Sequence, residues 1–429
     1  VRPAEATGEA TGTVARPWRV AAWCFYDWAN SAYPTVIGTF VFATYFTQGV
    51  APDPITGAAR WGVAMAISGL LVGLLSPVFG AIADRTGGQR TWLAGFTLVA
   101  AIAAAALWTV EPDPAFMLRG AVLVVLGTLA FELGTVFYNA MLPGVAPPRM
   151  LGRVSGWGWG LGYIGGLFCL VACLALIQAR PPPFGLAETN AEAVRATSVL
   201  VALWYAGFAL PLLLAVPGTP RTGMGIGQAV REGLGAILRV LPELRRDRQV
   251  LRFLIARLLY AEGLNTLFAF GAIYAAGTFG MDTEEVIRLG IAINVTAGLG
   301  AALFAFADDR FGSKPVVLVS VLSLMVIGAA MLAVTTKAQF WALAMPLGIF
   351  FGPAQAASRT LMGRIAPPEK LGEYFGLFAL TGRAVSFIGP SVLAAATTLF
   401  ASQRAGMATI LFFLGGGAAL LWTVRETRP

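Results

Sequence analysis

The chain has 429 residues, 57% of them hydrophobic and only 12% charged, with a mean hydropathy of +0.73. A water-soluble domain carries about a quarter charged residues, and half of that leaves too little polar surface to cover a globule of this size, so the implied solvent is lipid. The net charge of +8 is spread between apolar stretches instead of forming a patch, which argues against a nucleic-acid partner, and the chain has no histidine.

Val1 to Pro17 is polar and lacks the charged, apolar, then small-residue order of a secretion signal. Residues 1–19 are expected to form a cytoplasmic tail. Twelve apolar stretches follow, each approaching the roughly 20 residues that cross about 30 Å of hydrocarbon. The expected spans are 20–48, 60–82, 91–110, 117–142, 153–178 and 196–216, then 249–276, 284–306, 314–335, 338–363, 371–398 and 405–424. The fold class expected is therefore an all-α integral membrane protein of twelve transmembrane helices. Its parts are a first six-helix bundle at 20–216, a linker at 217–248 and a second six-helix bundle at 249–429. In the linker Val230, Leu234, Leu238, Leu241 and Leu244 recur at helical spacing among Arg231, Arg239, Arg245 and Arg246. That pattern predicts an amphipathic helix on the membrane surface, with a partner-binding helix as the alternative. The 51 glycines suit close helix packing in lipid. Cys24, Cys169 and Cys173 all fall in apolar spans and read as packing residues.

Orientation follows from the excess of Lys and Arg in cytoplasmic loops. With both termini in the cytoplasm, 20 of the 30 Lys and Arg lie on that side, seven on the other and three within spans. An arginine-rich, lysine-poor chain with abundant alanine points to a GC-rich bacterial genome, hence to the bacterial inner membrane.

The two halves repeat. Ala146-Pro147-Pro148-Arg149-Met150-Leu151-Gly152 after span four recurs as Ala366-Pro367-Pro368-Glu369-Lys370-Leu371-Gly372 after span ten. Asp84-Arg85-Thr86-Gly87 recurs as Asp309-Arg310-Phe311-Gly312 at the equivalent place. Asp27, Asn30 and Ser31 in span one correspond, with one residue of slack, to Glu262, Asn265 and Thr266 in span seven, with carboxylate, amide and hydroxyl on one helix face and Tyr26 and Tyr260 flanking the two sets. Parallel six-span repeats are the plan of a large class of secondary transporters, with the substrate site near the midplane between the halves.

Gly80-x-x-x-Asp84-Arg85-x-Gly87-x-x-Arg90 resembles the cytoplasmic loop motif of the major facilitator superfamily. Tyr26-Asp27-Trp28-Ala29-Asn30-Ser31-Ala32-Tyr33 resembles the first-helix signature of the fungal vacuolar autophagy-related amino-acid effluxers and their bacterial relatives. Tyr138-Asn139-Ala140-x-Leu142-Pro143, Gln355-Ala356-x-Ser358-Arg359 and Gly382-Arg383-x-x-Ser386-Phe387-x-Gly389-Pro390 extend the match. The relatives tend to read Tyr-x-Asp-Gly where this chain has Tyr260-Ala261-Glu262-Gly263, so its carboxylate reaches one methylene further. The resemblance implies an alternating-access carrier, with amino-acid efflux the best-precedented activity and spans one, four, seven and ten lining the cavity.

Charges inside hydrocarbon cost a few kcal/mol or more each and mark candidate sites. Asp27, Glu132 and Glu262 are matched in number by Arg257, Arg359 and Arg383, so ion pairing competes with substrate binding at each. Glu262 and Arg383 lie about twelve residues from their span ends, roughly 18 Å deep at 1.5 Å per residue. They can grip a zwitterion's two ends or pair with each other. Glu132 is a candidate proton site. Asn30, Ser31, Asn139, Asn265, Thr266, Asn294, Gln355 and Arg359 complete the candidate polar lining. Asp84, Arg85, Gly87 and Arg90, with Asp309, Arg310, Gly312 and Lys314, are candidates for conformational switching. The chain has no His-Glu-x-x-His and no Gly-x-x-x-x-Gly-Lys-Ser/Thr, so neither metalloprotease chemistry nor ATP-driven pumping is expected. No cofactor and no metal are expected. The partners expected are a small-molecule substrate, protons as a possible co-substrate and the bilayer, around a monomer. Export of peptides, drugs or lipid-like molecules on the same fold, or a non-transporting membrane receptor, are the alternatives.

Overall fold

The structure is a computed structural model that describes residues 16–187, 189–225, 227–233, 235, 242, 247–383 and 386–426. Every regular element among these residues is helical, as lipid requires of a chain whose backbone groups must find partners within their own segment. Eleven helices are long and apolar enough to cross a membrane. Spans two to six are Pro54–Thr86, Gln89–Thr109, Pro114–Ala140, Pro148–Gln178 and Thr189–Ala215. Spans seven to twelve are Arg248–Phe279, Glu284–Phe311, Ser313–Ala333, Lys337–Ile365, Pro368–Leu399 and Gln403–Trp422.

Span one, residues 17–50, is the twelfth and is not continuous. An α-helix at Pro17–Asn30 gives way to π-helix at Tyr33–Phe40, a short α-turn at Phe42–Tyr45 and a second π-segment at Phe46–Val50. Pro34 offers no N–H and crowds the carbonyl one turn back, and the widened helix accommodates it. Span eleven is also in two pieces, Leu371–Arg383 and Ile388–Leu399. Pro390 falls in the first turn of the second piece, where its missing N–H needs no intrahelical partner. Span two runs to 33 residues, well beyond the expected 60–82, because the helix already starts at Pro54 behind an Asp53 N-cap and because Asp84 and Arg85 remain helical at its end.

Two aromatic-rich cores organise the halves. The first gathers Trp23, Tyr26, Tyr33, Phe137, Tyr138 and Tyr205, and the second Phe253, Tyr260, Phe340, Phe375 and Leu414. Val136 and Ala140 of span four pack into the second core, so this helix joins the halves. Leu70, Leu74, Leu98, Ile102, Leu203, Leu303 and Phe412 remain exposed on the outside, where a soluble protein would place polar groups. The three cysteines are free and buried.

Both described chain ends lie on one side, here the termini side: Trp23 near the start of span one donates to the Tyr138 carbonyl near the end of span four, Arg252 donates to the Thr423 carbonyl, and Glu426 accepts from Ser313 and Lys314 amides. The linker's start is tied there too, with Gly88 N–H on the Thr219 carbonyl at 2.9 Å and Thr222 N–H on the Thr86 carbonyl at 3.0 Å. Within the expected amphipathic helix, Val230 and Arg231 belong to a helical run at 227–233 whose Ala229 is buried. Leu234, Leu238, Arg239, Leu241, Leu244, Arg245 and Arg246 lie outside the described residues, as do residues 1–15 of the expected tail.

Candidate functional site

The functional side chains converge because the two halves meet along spans two and eleven and along spans five and eight. Small residues permit the approach. Gly376 lies against Ser76 and Pro77, and Gly156 against Ala301 and Ala305. At the termini side each half sends one carboxylate into the other. Asp84 accepts from the Gly372 and Glu373 amides, both at 2.8 Å. Asp309 accepts from the Gly152 amide at 2.8 Å, the Arg153 amide at 3.2 Å and Arg153 Nε at 2.6 Å. Gly152 and Gly372 must be glycine here: a Cβ on either would come within 2.8 Å of the arriving carboxylate. A carboxylate at a helix N-terminus satisfies orphan N–H groups and meets the positive end of the helix dipole. The two sequence repeats therefore bond to each other crosswise. Asp308, the residue before the second motif copy, pairs with Arg364 at 2.9 Å, and Arg364 also reaches Glu426 at 3.0 Å.

The other loop-motif residues stay within their own halves. Arg85 caps the Ala81 carbonyl and lies 3.8 Å from Glu232, and Arg90 reaches the Val216 carbonyl at 3.4 Å. Arg310 stacks over Phe311, and Lys314 donates to the Trp422 carbonyl at 2.8 Å. Gly87 and Gly312 turn the chain with φ of +67° and +97°, a region open to glycine.

One step deeper, Asp27 of span one and Arg359 of span ten form a buried ion pair at 3.0 Å. Tyr138 donates to the same carboxylate oxygen at 2.9 Å. Arg359 also donates to Ser155 Oγ at 2.9 Å, the Ser155 carbonyl at 2.6 Å and Asn139 Oδ1 at 3.4 Å. Trp23, Tyr138 and Trp159 surround the guanidinium. Gly158 leaves the room: a Cβ there would stand 2.5 Å from Asp27 Oδ2. Buried ions persist only when paired and hydrogen-bonded, as here.

Above this floor lies a cavity of about 310 Å³ between the halves. Asp27, Asn30, Ser31, Glu132, Asn139, Asn265, Gln355, Arg359 and Arg383 line it, together with Arg257, Trp159 and Phe131. Across its middle, Glu132 of span four pairs with Arg383 of span eleven at 2.5 Å, and the Arg383 side chain is 48% exposed. No polar contact between the halves lies on the far side of this pair among the described residues, so the closed end is the termini side. A larger depression of about 510 Å³, lined by Trp92, Phe96 and Arg221, is on the flank of spans two and three and not between the halves.

Three expected site residues are placed elsewhere. Glu262 is buried and accepts from the Gly389 amide at 2.8 Å, facing span eleven and not the cavity. Thr266 shares that face, where a Cβ on Gly389 would strike its hydroxyl. Asn294 donates to the Gly290 carbonyl in its own helix. The expected face-to-face arrangement of Glu262 and Arg383 is thus replaced by a Glu132–Arg383 pair. A one-residue slip between the repeats rotates Glu262 about 100° around span seven relative to the position that matches Asp27. Sequence reasoning missed Ser155, Arg364, Asp308 and Glu426. Nothing in their spacing marks Ser155, whereas Asp308 beside the motif aspartate was a readable signal.

The arrangement is that of a transporter of the major facilitator superfamily: two six-helix halves, a polar cavity between them and one end closed by separable contacts. Solved structures share the fold. The transporter FucP in its outward conformation superposes with a TM-score of 0.73 at 14% identity, covering 96% of this chain and 99% of that one. The proton:xylose symporter XylE superposes at 0.71 with 15% identity and 96% coverage of both chains. The profile of the family described as "Vacuole effluxer Atg22 like" matches residues 54–429, and the chain belongs to that family. The uncharacterized MFS-type transporter YxiO of Bacillus subtilis is 27% identical over 418 residues, 95% of each chain. Autophagy-related protein 22 of Cryptococcus neoformans is 26% identical over 282 residues, 61% of this chain and 50% of the fungal protein. The match thus spans about half the length of that fungal relative.

Two outcomes test the closed end. Replacing both Asp84 and Asp309 by alanine removes charge-assisted bonds of about 1.5–3 kcal/mol each, enough to move a two-state equilibrium substantially. A single cysteine at Asn139, in a background lacking Cys24, Cys169 and Cys173, should then react several-fold faster with a maleimide applied from the termini side. Unchanged labelling would show that these carboxylates do not hold the halves together.

For the buried pair, Arg359→Gln leaves Asp27 charged without its cation, a loss of about 3–5 kcal/mol. The double variant Asp27→Asn, Arg359→Gln should melt higher than Arg359→Gln alone, because the uncompensated charge is gone. Strictly additive losses in melting temperature would contradict the pairing.

Proposed function

We propose that this protein exports small solutes, with amino acids the preferred class, by alternating access across a bacterial inner membrane. The observation that carries the proposal is the cavity between the halves, walled by nine of the expected polar residues and closed at one end by contacts that each join one half to the other. At about 310 Å³ it is at the small end of the roughly 300–1,000 Å³ of ligand sites, which favours metabolite-sized solutes over drugs or lipids. Membership of the effluxer family supports the direction. The Lys and Arg bias supports both termini in the cytoplasm, so that the cavity faces the outside in this state. Asn30, Asn139, Asn265 and Gln355 are the proposed contacts, with Asp27 holding Arg359 in place at the cavity floor. Glu132 is the proposed proton carrier, because a proton on it releases Arg383 and loosens a bond between the halves. A monomer contains the whole pathway.

Counterflow tests the transport reading. Proteoliposomes preloaded with unlabelled amino acids should accumulate the labelled counterpart several-fold above protein-free vesicles, and Asp27→Asn should abolish most of that uptake. A folded protein that exchanges no amino acid, peptide or carboxylic acid would sink it and favour a receptor.

Topology is tested in intact cells. Single cysteines at Gly225 and Arg425 should resist an impermeant maleimide applied from outside and react once the membrane is opened. Labelling from outside at either position would invert the orientation and with it the proposed direction.

A further inference from the structure

The cavity wall holds two carboxylates and three guanidinium groups. Asp27 is committed to Arg359, and Glu132 to Arg383. Arg257 has no carboxylate within ion-pair distance among the described residues. It is 8% exposed, yet it lines the cavity from span seven. Its Nη1 donates to the Phe378 carbonyl at 2.6 Å and to Thr381 Oγ1 at 2.8 Å, both on span eleven. The Phe378 ring supports one face at 3.4 Å, and Nε has no partner. Neutral acceptors and a ring hold the guanidinium in place without cancelling its charge. Gly382 lines the same wall, and a Cβ there would stand 3.1 Å from Nη1 and Nη2. Glycine at that position leaves the group uncovered. A buried cation without an anion is costly, and a planar guanidinium with donors to spare is suited to a carboxylate.

We propose that Arg257 anchors a substrate carboxylate, so that this cavity selects small solutes by their carboxylate and does not require their ammonium group. With both cavity acids already paired and Glu262 facing away, no free carboxylate is left to demand an amine. The bound anion would neutralise the one charge on the cavity wall that has no ion-pair partner among the described residues. This rests on the cavity being the solute site, and it widens the class from amino acids to small carboxylic acids at large.

The test uses the purified full chain and three matched sets: leucine, phenylalanine and lysine, each with its carboxamide and its desamino carboxylic acid. Binding is read by thermal shift and by titration calorimetry, and flux by counterflow. Acid and desamino acid should bind within a fewfold of each other, and the carboxamide at least about tenfold more weakly, the scale of a lost charge-assisted bond. Arg257→Gln should erase that preference, and Arg257→Lys should keep part of it. Should Arg257→Gln not fold, the ranking on the native protein decides. Carboxamides that bind as well as the acids, desamino acids that do not bind, a preference unchanged in Arg257→Gln, or no binding by any member would each overturn the anchor. Arg257-dependent binding without counterflow would instead overturn transport and leave the anchor standing. Counterflow that ignores the carboxylate would do the reverse.

Discussion

The closed end depends on a carboxylate reaching the first turn of a helix in the other half, twice. Asp84 on Gly372 and Glu373, and Asp309 on Gly152 and Arg153, are related by the internal repeat. The partners supply backbone N–H groups that no intrahelical carbonyl can use, so the bond costs little to prepare and little to release into water. That is a suitable latch for a protein with two working states, since both arrangements must lie within a few kcal/mol of each other. The glycines at 152 and 372 are part of the latch, because any side chain would hold the carboxylates away.

The latch also fixes what lies deeper. Once spans two and eleven and spans five and eight are drawn together, Ser155 comes within 2.9 Å of Arg359 Nε and Asp27 within 3.0 Å of its Nη1. Acids come from the first half and guanidinium groups from the second at both deep pairs. The halves have thus diverged in charge while keeping their backbone symmetry, so separation leaves each with a surplus of one sign. Water entering the opened cleft is the natural replacement for those partners.

Much of this was legible in the chain. Twelve apolar stretches and the repeat define the architecture because the bilayer imposes length and polarity on every span. Nine of the twelve candidate substrate and proton residues do line one cavity. Partner choice was not legible. Two copies of a motif say that two contacts exist and not that each copy bonds the other's neighbour. Glu262 was misleading for a related reason: correspondence with Asp27 held only with one residue of slack, and on a helix one residue turns a side chain about 100°. Spans one and eleven were expected to be continuous and are interrupted beside Pro34 and Pro390, because whether a proline widens a helix, kinks it or opens a new one depends on what packs beside it.

The contacts differ in what encloses them. Asp84 and Asp309 accept from helix N-terminal amides at the termini side, and the Asp309 side chain is only 8% exposed. The Asp27–Arg359 pair is enclosed by three aromatic rings, and separating it in a dry environment would leave two bare charges at a cost of several kcal/mol per ion. The Glu132–Arg383 pair carries the most exposed guanidinium of these contacts, already facing the cavity. Parting of the deep pair therefore requires water, or another polar group, to replace Asp27, Ser155 and Asn139 around Arg359. A solute seated in the cavity that compensates the charge left behind would lower that cost, which would tie occupancy of the cavity to separation of the halves.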